Sequence, residues 1–351
     1  MNIVFVNSTR KWGGVKTWTV DYATWLKDHG HIVRVYGRQS EFVDKLKRAG
    51  VDAFRMDFGF DYNPVTITRF LKDFSINRPD VVIGNITKEM NTAGVAARLL
   101  GIPNIQRVGL PADMNYSLRL KMLHKITRPW FLCPSQSVHN GLLKHLPYIE
   151  PERVKIIQNA KHPVEGVKPL EDGPLRLVST SQVNADKGHE QVLEALAGIP
   201  QGKVEYHIVG TGKLEQQLRE KYAALEQDGK VVWHGFSTDV AGHLTKADVF
   251  LLPSVREGMP NALLEAMSAG LAPVSRRVGG VADIWPESLS RFLLPMDAGV
   301  QEFREVLDEL LAMSSDELIA MKEASLAACR DNFNLNTNIQ AFVDWVQKEI
   351  L

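Results

Sequence analysis

Short apolar, β-branched runs alternate with amphipathic stretches through the first half of the chain. Met1 to Val6, Ile32–Tyr36, Val51–Met56, Asp80–Gly84, Asn104–Val108 and Trp130–Cys133 have the length and composition of buried strands. Between the first two, Val15, Trp18, Tyr22, Trp25 and Leu26 recur at helical spacing. Gly30 falls where a left-handed C′ residue ends a helix. The first unit therefore reads as strand, glycine loop, helix, strand, and its repetition predicts βαβ units on a parallel sheet.

The pattern pauses near Ile156–Asn159, and Lys161 to Pro174 has the Pro- and Gly-rich, weakly apolar composition of a linker. A second series follows, with strands at Leu175–Thr180, Val204–Val209, Lys230–Trp233 and Val249–Leu252. Helices are expected from His189, from Lys213 and near Val240–Lys246. The same architecture is thus built twice. Ligands of open parallel sheets bind beyond the carboxyl ends of the strands, so the loops after each strand are where chemistry is expected. Ile339, Phe342, Val343, Val346 and Ile350 give the last segment, 337–351, one apolar helical face that must dock.

Composition narrows the function class. With 351 residues the chain has room for two domains, and 41 basic residues balance 41 acidic ones, which gives no general attraction to nucleic acid. Cys133 and Cys329 each lie in an apolar run and read as core residues, as in a reducing cytoplasm. The apolar start meets Asn7-Ser8-Thr9 too soon for a signal peptide, and no later run is long enough to span a bilayer. A cytoplasmic protein, at most touching the inner face of the membrane, is expected.

The sharpest chemical feature is Ser254-Val255-Arg256-Glu257-Gly258-Met259-Pro260-Asn261-Ala262-Leu263-Leu264-Glu265-Ala266-Met267-Ser268-Ala269-Gly270, directly after a buried strand. Pro260 suits the first position of a helix, Gly270 its end, and Leu263, Leu264 and Met267 its buried face. The free amides around Gly258 to Asn261, a stretch that also holds Met259 and the donorless Pro260, then form a helix N-terminus that favours a phosphate. Glu257 precedes the helix and Glu265 lies inside it, separated by roughly 7 to 8 Å along the axis.

This segment resembles the Glu-x7-Glu signature of retaining glycosyltransferases with the GT-B fold, family four, whose members include lipopolysaccharide and polysaccharide sugar transferases. The resemblance extends over nearly the whole chain. It implies an α/β fold of two Rossmann-like, doubly wound parallel-sheet domains facing across a cleft. Residues 1–165 would bind acceptor, 166–334 would bind the nucleotide-sugar donor, and 335–351 would form a helix returning to the first domain. It further implies that Glu257 contacts donor-sugar hydroxyls and that Glu265 binds the ribose.

Asp186-Lys187-Gly188-His189 resembles the family's Glu-Lys-Gly segment, which assigns Lys187 to the donor phosphates. Gly13-Gly14 resembles the glycine loop over the phosphates and the acceptor pocket. Val209-Gly210-Thr211-Gly212 resembles the Gly-x-Gly turn near the nucleotide, and Asn159-Ala160 stands where relatives carry Asn-Gly at the interdomain crossing. Two departures stand out. Ser181 and Gln182 occupy the place of a usual arginine, and Gly109 that of a usual histidine, so Arg107 becomes a secondary candidate for positive charge.

Arg119, Lys121, His124, Lys125 and Arg128, interleaved with Leu118, Leu120, Met122, Leu123 and Ile126, give segment 117–130 the pattern of a basic amphipathic helix. Such a helix would sit on anionic lipid and suit a lipid-linked acceptor; a solvated helix face has the same pattern. No His-Glu-x-x-His, Cys-x-x-Cys or Asp-x-Asp spacing occurs, nor a P-loop or a nucleophile-elbow serine. Metal-independent chemistry without a cofactor is therefore expected, with a nucleotide diphosphate sugar as donor and a glycan or lipid-linked hydroxyl as acceptor. A sugar-nucleotide epimerase of the same fold and a non-catalytic sugar-nucleotide binder are the alternatives.

Overall fold

The structure, a computed structural model, describes residues 1–10, 12–110 and 114–351. It divides into two compact units, one formed by 1–159 with 336–351 and the other by 160–335. The first holds a seven-stranded sheet of β1 (Asn2–Asn7), β2 (Ile32–Gly37), β3 (Asp52–Arg55), β4 (Val81–Gly84), β5 (Asn104–Arg107), β6 (Trp130–Cys133) and β7 (Val154–Ile156). Its order is β3-β2-β1-β4-β5-β6-β7, and every pairing is parallel. β1 lies inside the sheet, with Ile3, Val4, Phe5 and Val6 apolar on both faces and fully buried. The helix Gly14–Asp28 follows β1, and Gly30 ends that connection at φ +81°, as its spacing predicts.

β7 falls where the pattern was read as a pause. Three half-buried residues on a sheet edge carry too little apolar periodicity to announce a strand. The terminal helix Leu335–Trp345 continues as a π turn, Val346–Ile350. Ile339, Phe342 and Val346 are fully buried. Phe342 meets Tyr22 edge-on at 5.5 Å, Trp345 meets Trp130 at 6.3 Å, and Trp25 Nε1 donates to Asn336 Oδ1 at 2.7 Å. The return of this helix to the first unit is thus an aromatic docking.

The second unit holds β8 (Leu175–Thr180), β9 (Val204–Val209), β10 (Val231–Gly235), β11 (Val249–Leu252), β12 (Ala272–Arg276) and β13 (Leu293–Leu294) in the order β10-β9-β8-β11-β12-β13, again all parallel. The linker-like residues 161–174 lie with this unit. Lys161 N donates to Phe333 O at 2.9 Å, Val164 N to Ser268 O at 2.8 Å, and the buried Lys322 Nζ to Lys168 O at 2.8 Å. Long helices Val300–Ala312 and Ser315–Asn332 cover the sheet, burying Phe303, Leu307, Met321 and Leu326.

Both cysteines are fully buried and free, and burial pushes each thiol up to about 12. Among the described residues no helix is long and apolar enough to cross a membrane.

Candidate active site

In each sheet the strand order reverses once, between β1 and β4 in the first unit and between β8 and β11 in the second. Loops diverge at such a switch point and leave a crevice at the carboxyl ends of the strands. In the second unit the loop after β8 carries Lys187 and the loop after β11 carries Glu257. Lys187 Nζ donates to Glu257 Oε1 at 2.6 Å, and both side chains are mostly withdrawn from solvent. Two residues separated by 70 positions, singled out for different reasons, therefore form one ion pair at the switch point.

The backbone holds these loops together. Val255 N donates to Asp186 O at 2.9 Å, which ties one loop to the other. Gly188 has φ +66°, and a Cβ there would lie 2.0 Å from Pro253 O. The buried Arg276 donates Nη1 to the same carbonyl, and its Nε and Nη2 to Ala298 O. On the other side, Gly280 N donates to Gly258 O, and Gly279 sits at φ +53° with no room for a Cβ, which would lie 1.8 Å from Glu257 O. The Gly279-Gly280 turn is a support the sequence does not signal, because a glycine pair marks any tight turn.

The helix after Glu257 runs Asn261–Ser268, with Pro260 at its N-cap rather than inside its first turn. Proline fits either place because its missing N–H is not needed there. No side chain caps this end. The first-turn amides of a helix point out along its axis, at the end that carries positive partial charge. Glu265, one turn further on, accepts from Lys161 Nζ at 3.0 Å. Lys161, the first residue of the linker-like stretch, also forms a parallel bridge with Asn334. Gly258, Met259 and Pro260 are buried, while Asn261, Glu257 and Glu265 are partly buried.

Gly210 and Gly212 belong to the turn after β9, which packs on the loop after β8: Val183 N donates to Thr211 O at 3.1 Å and Gly210 N to Gly235 O at 2.8 Å. Gln182 is exposed and accepts from Asn184 Nδ2 at 2.8 Å. Beneath Lys187 lies a buried polar chain. His189 contacts Ser181 Oγ at 2.9 Å and Tyr206 Oη at 3.1 Å, and Ser179 Oγ meets Tyr206 Oη at 2.7 Å and donates to Leu251 O at 2.6 Å. Burial, with the charge of Lys187 beside it, lowers His189 to about 4. The imidazole is therefore neutral and serves to fix the loop.

In the first unit Gly13 is the N-cap of the helix Gly14–Asp28, and its carbonyl accepts from Lys16 N at 2.9 Å. Its backbone is extended, and a Cβ would meet nothing within 4 Å among the described residues. Arg107, at the end of β5, is buried with its guanidinium over the Trp18 ring at 4.7 Å and Nη2 donating to Asn159 Oδ1 at 3.2 Å. The bond to Asn159 ties the end of β5 to the end of this unit's chain segment. Gly109 follows two residues later, half-buried.

The switch point of this sheet is stitched by Glu89, a fully buried carboxylate. It accepts from Ser8 N at 2.6 Å, Ser8 Oγ at 3.0 Å, Ile86 N at 3.1 Å and Asn85 N, joining the loops after β1 and β4. Burial raises its pKa against these hydrogen bonds. Lys16, also buried, donates Nζ to Thr9 O at 3.0 Å, and burial lowers it to about 8 against the attraction of Glu89. Neither residue carries a motif that would announce it.

Helix Leu118–Thr127 is amphipathic in an uneven way. His124 turns inward, contacting Gln106 Oε1 at 3.1 Å and Tyr148 Oη at 3.0 Å, and burial lowers it to about 4. It thus drops out of the basic face, since a neutral imidazole fits the buried side that a lysine would not. Leu118, Met122 and Ile126, at four-residue spacing, are instead 70%, 49% and 49% exposed, flanked by exposed Arg119, Lys121, Lys125 and Arg128.

Two doubly wound parallel sheets, one in each unit, give the chain the GT-B fold. Solved structures superimpose on this chain over nearly its whole length. A glycosyltransferase from Rickettsia africae gives a TM-score of 0.82 at 17% identity, covering 99% of each chain. Anabaena HepE in complex with UDP and glucose gives 0.81 at 18% identity, also covering 99% of each chain. Residues 164–325 match the family described as Glycosyl transferases group 1. That match takes in most of the second unit. In sequence, the amylovoran biosynthesis glycosyltransferase AmsK of Erwinia amylovora is 30% identical over 58% of this chain and 48% of its own length. The chain spans about half the length of the curated relatives it matches.

Proposed function

We propose that this chain is a retaining glycosyltransferase that moves a hexose-type sugar from a nucleoside diphosphate to a hydroxyl acceptor in cell-surface polysaccharide or lipopolysaccharide synthesis. The observation that carries the reading is the Lys187–Glu257 pair at 2.6 Å, set against the N-terminus of helix Asn261–Ser268 at a switch point. Lys187 and the first-turn amides gather positive charge where a leaving diphosphate develops negative charge. Glu257 orients sugar hydroxyls, and Glu265, steadied by Lys161, holds the ribose.

The bond between the anomeric carbon and the phosphate oxygen breaks as the acceptor oxygen bonds to the same carbon on the same face. The acceptor's proton passes to the leaving diphosphate. In this reading no protein nucleophile and no metal ion is needed, because the lysine and the amides take up the leaving group's charge. HepE was solved with UDP and glucose, which makes UDP the first base to try.

The membrane is the second element of the proposal. The exposed Leu118, Met122 and Ile126 stripe, bordered by Arg119, Lys121, Lys125 and Arg128, has the apolar-plus-basic character that lies in an anionic lipid interface. It would bring the enzyme to a lipid-linked acceptor. The test of the chemistry is incubation with UDP-hexoses and a lipid-linked or oligosaccharide acceptor, followed by NMR of the product. A product with the donor's anomeric configuration, lost in Glu257→Gln, supports the reading; inversion, or donor isomerisation without transfer, refutes it.

A further inference from the structure

The chain passes between the two units twice, after Asn159 and again after Leu335. Beside these passages the outgoing and returning segments are laced together within each unit. In the first unit, Asn338 Nδ2 donates to Gln158 O at 3.2 Å. In the second, Lys161 N donates to Phe333 O at 2.9 Å and Leu335 N donates to Lys161 O at 3.1 Å, which makes the parallel bridge to Asn334. The N–H and C=O of Lys161 are thus both bonded to the returning segment, and Phe333 and Leu335 are buried. A shift of Lys161 is therefore felt at 333–335.

The side chain of Lys161 leaves this pairing for the helix Asn261–Ser268, where its Nζ lies 3.0 Å from Glu265 Oε1. The lysine side chain is 12% exposed and the carboxylate 25%, so solvent screens the pair weakly while part of Glu265 stays within reach of a ligand. A carboxylate offers about four lone-pair sites. Lys161 engages one oxygen, which leaves acceptor capacity for the vicinal hydroxyls of a ribose. The helix has a second tie to the same outgoing segment, because Val164 N donates to Ser268 O at 2.8 Å.

We infer that Lys161 is a positioning residue that sets the site's preference for ribose and passes ribose occupancy to the paired crossing segments. The inference rests on the reading that Glu265 holds the ribose, and it assigns Lys161 a part which that reading does not contain. With the ammonium in place the carboxylate is already aimed, so the hydroxyls meet an ordered partner and less freedom is lost on binding. Without it, a partly buried carboxylate loses both countercharge and direction. Binding that steadies Glu265 steadies Lys161, and through its N–H and C=O the segments at 160–161 and 333–335. By linkage the coupling runs both ways.

The test uses the full chain as wild type, Lys161→Met and Lys161→Arg. UDP, GDP and ADP are titrated calorimetrically, and the tightest binder is compared with its 2′,3′-dideoxy analogue. Wild type should prefer the ribose form by about tenfold or more, the scale of hydrogen bonds to a charged group. Lys161→Met should lose most of that preference while binding the dideoxy form as wild type does, and Lys161→Arg should keep it. Hydrogen exchange at 158–164 and 330–338 should slow on nucleotide binding in wild type and Lys161→Arg, and stay unchanged in Lys161→Met. Full ribose preference in Lys161→Met, an equal loss of both ligands, or exchange that still slows there would overturn the inference and leave the donor site standing. A wild type that binds none of these nucleotides, or binds one without preferring ribose, sinks the donor-site reading and this inference with it.

Discussion

Lys187 Nζ and Glu257 Oε1 stand 2.6 Å apart, one on the loop after β8 and the other on the loop after β11, where the strand order of the second sheet reverses. If this pair positions donor sugar and phosphate, Lys187→Ala and Glu257→Gln should each lower kcat by about a hundredfold or more, the scale seen when a preorganised charge-stabilising group is removed. Circular dichroism should stay wild type. Activity within a few-fold of wild type in either variant would remove the pair from the mechanism.

Gly279→Ala should destabilise the second unit by at least about 1 kcal/mol, since φ +53° disfavours any L side chain and the added Cβ runs into Glu257 O. Gly13→Ala has neither penalty, because its backbone is extended and its Cβ would meet nothing within 4 Å among the described residues. Urea unfolding should separate the two. A Gly13→Ala variant with normal stability and reduced turnover would place a ligand beside Gly13.

Stability should fall with pH in a defined window. His189 is lowered to about 4 in the fold, against about 6.5 when unfolded, so the unfolded chain takes up a proton first as pH drops. Its contribution is intact above pH 6.5 and is lost between there and pH 4, by roughly 3 kcal/mol in total. His189→Gln should flatten that part of the urea-midpoint profile, with His124 supplying a similar slope from the first unit. A profile unchanged by the substitution would show that His189 titrates alike in the folded and unfolded chain.

Membrane docking predicts that Lys121→Glu with Lys125→Glu lowers cosedimentation with anionic vesicles at least about tenfold, given ~1 kcal/mol per basic residue near such a surface. Met122→Glu should do the same through the apolar stripe. Binding that survives charge reversal would refute the lipid-facing role of helix Leu118–Thr127.

Much of this arrangement is legible in the sequence because it rests on local pattern. The β1 core, the Gly30 turn, the docking face of the last helix and the Glu257 to Gly270 segment are each written in contiguous residues. What is not legible depends on residues distant in the chain. Lys161 meets Glu265 only through its bridge to Asn334, Glu89 joins loops from two strands, and Gly279 supports Glu257 by a backbone approach that no side-chain pattern records. His124 shows the other limit: its helical spacing is right for the basic face, but tertiary partners at Gln106 and Tyr148 draw it inward.

The central claim is that a nucleoside diphosphate binds at helix Asn261–Ser268 through Glu265, and the most direct measurement is thermal unfolding of wild type and Glu265→Ala in the presence of UDP, GDP, ADP, CMP and NAD. One diphosphate at a hundred times its Kd should stabilise the wild type by about 2.7 kcal/mol and raise Tm, and the substitution should abolish most of that shift. No response to any diphosphate, or an equal response in Glu265→Ala, would contradict the donor site described above.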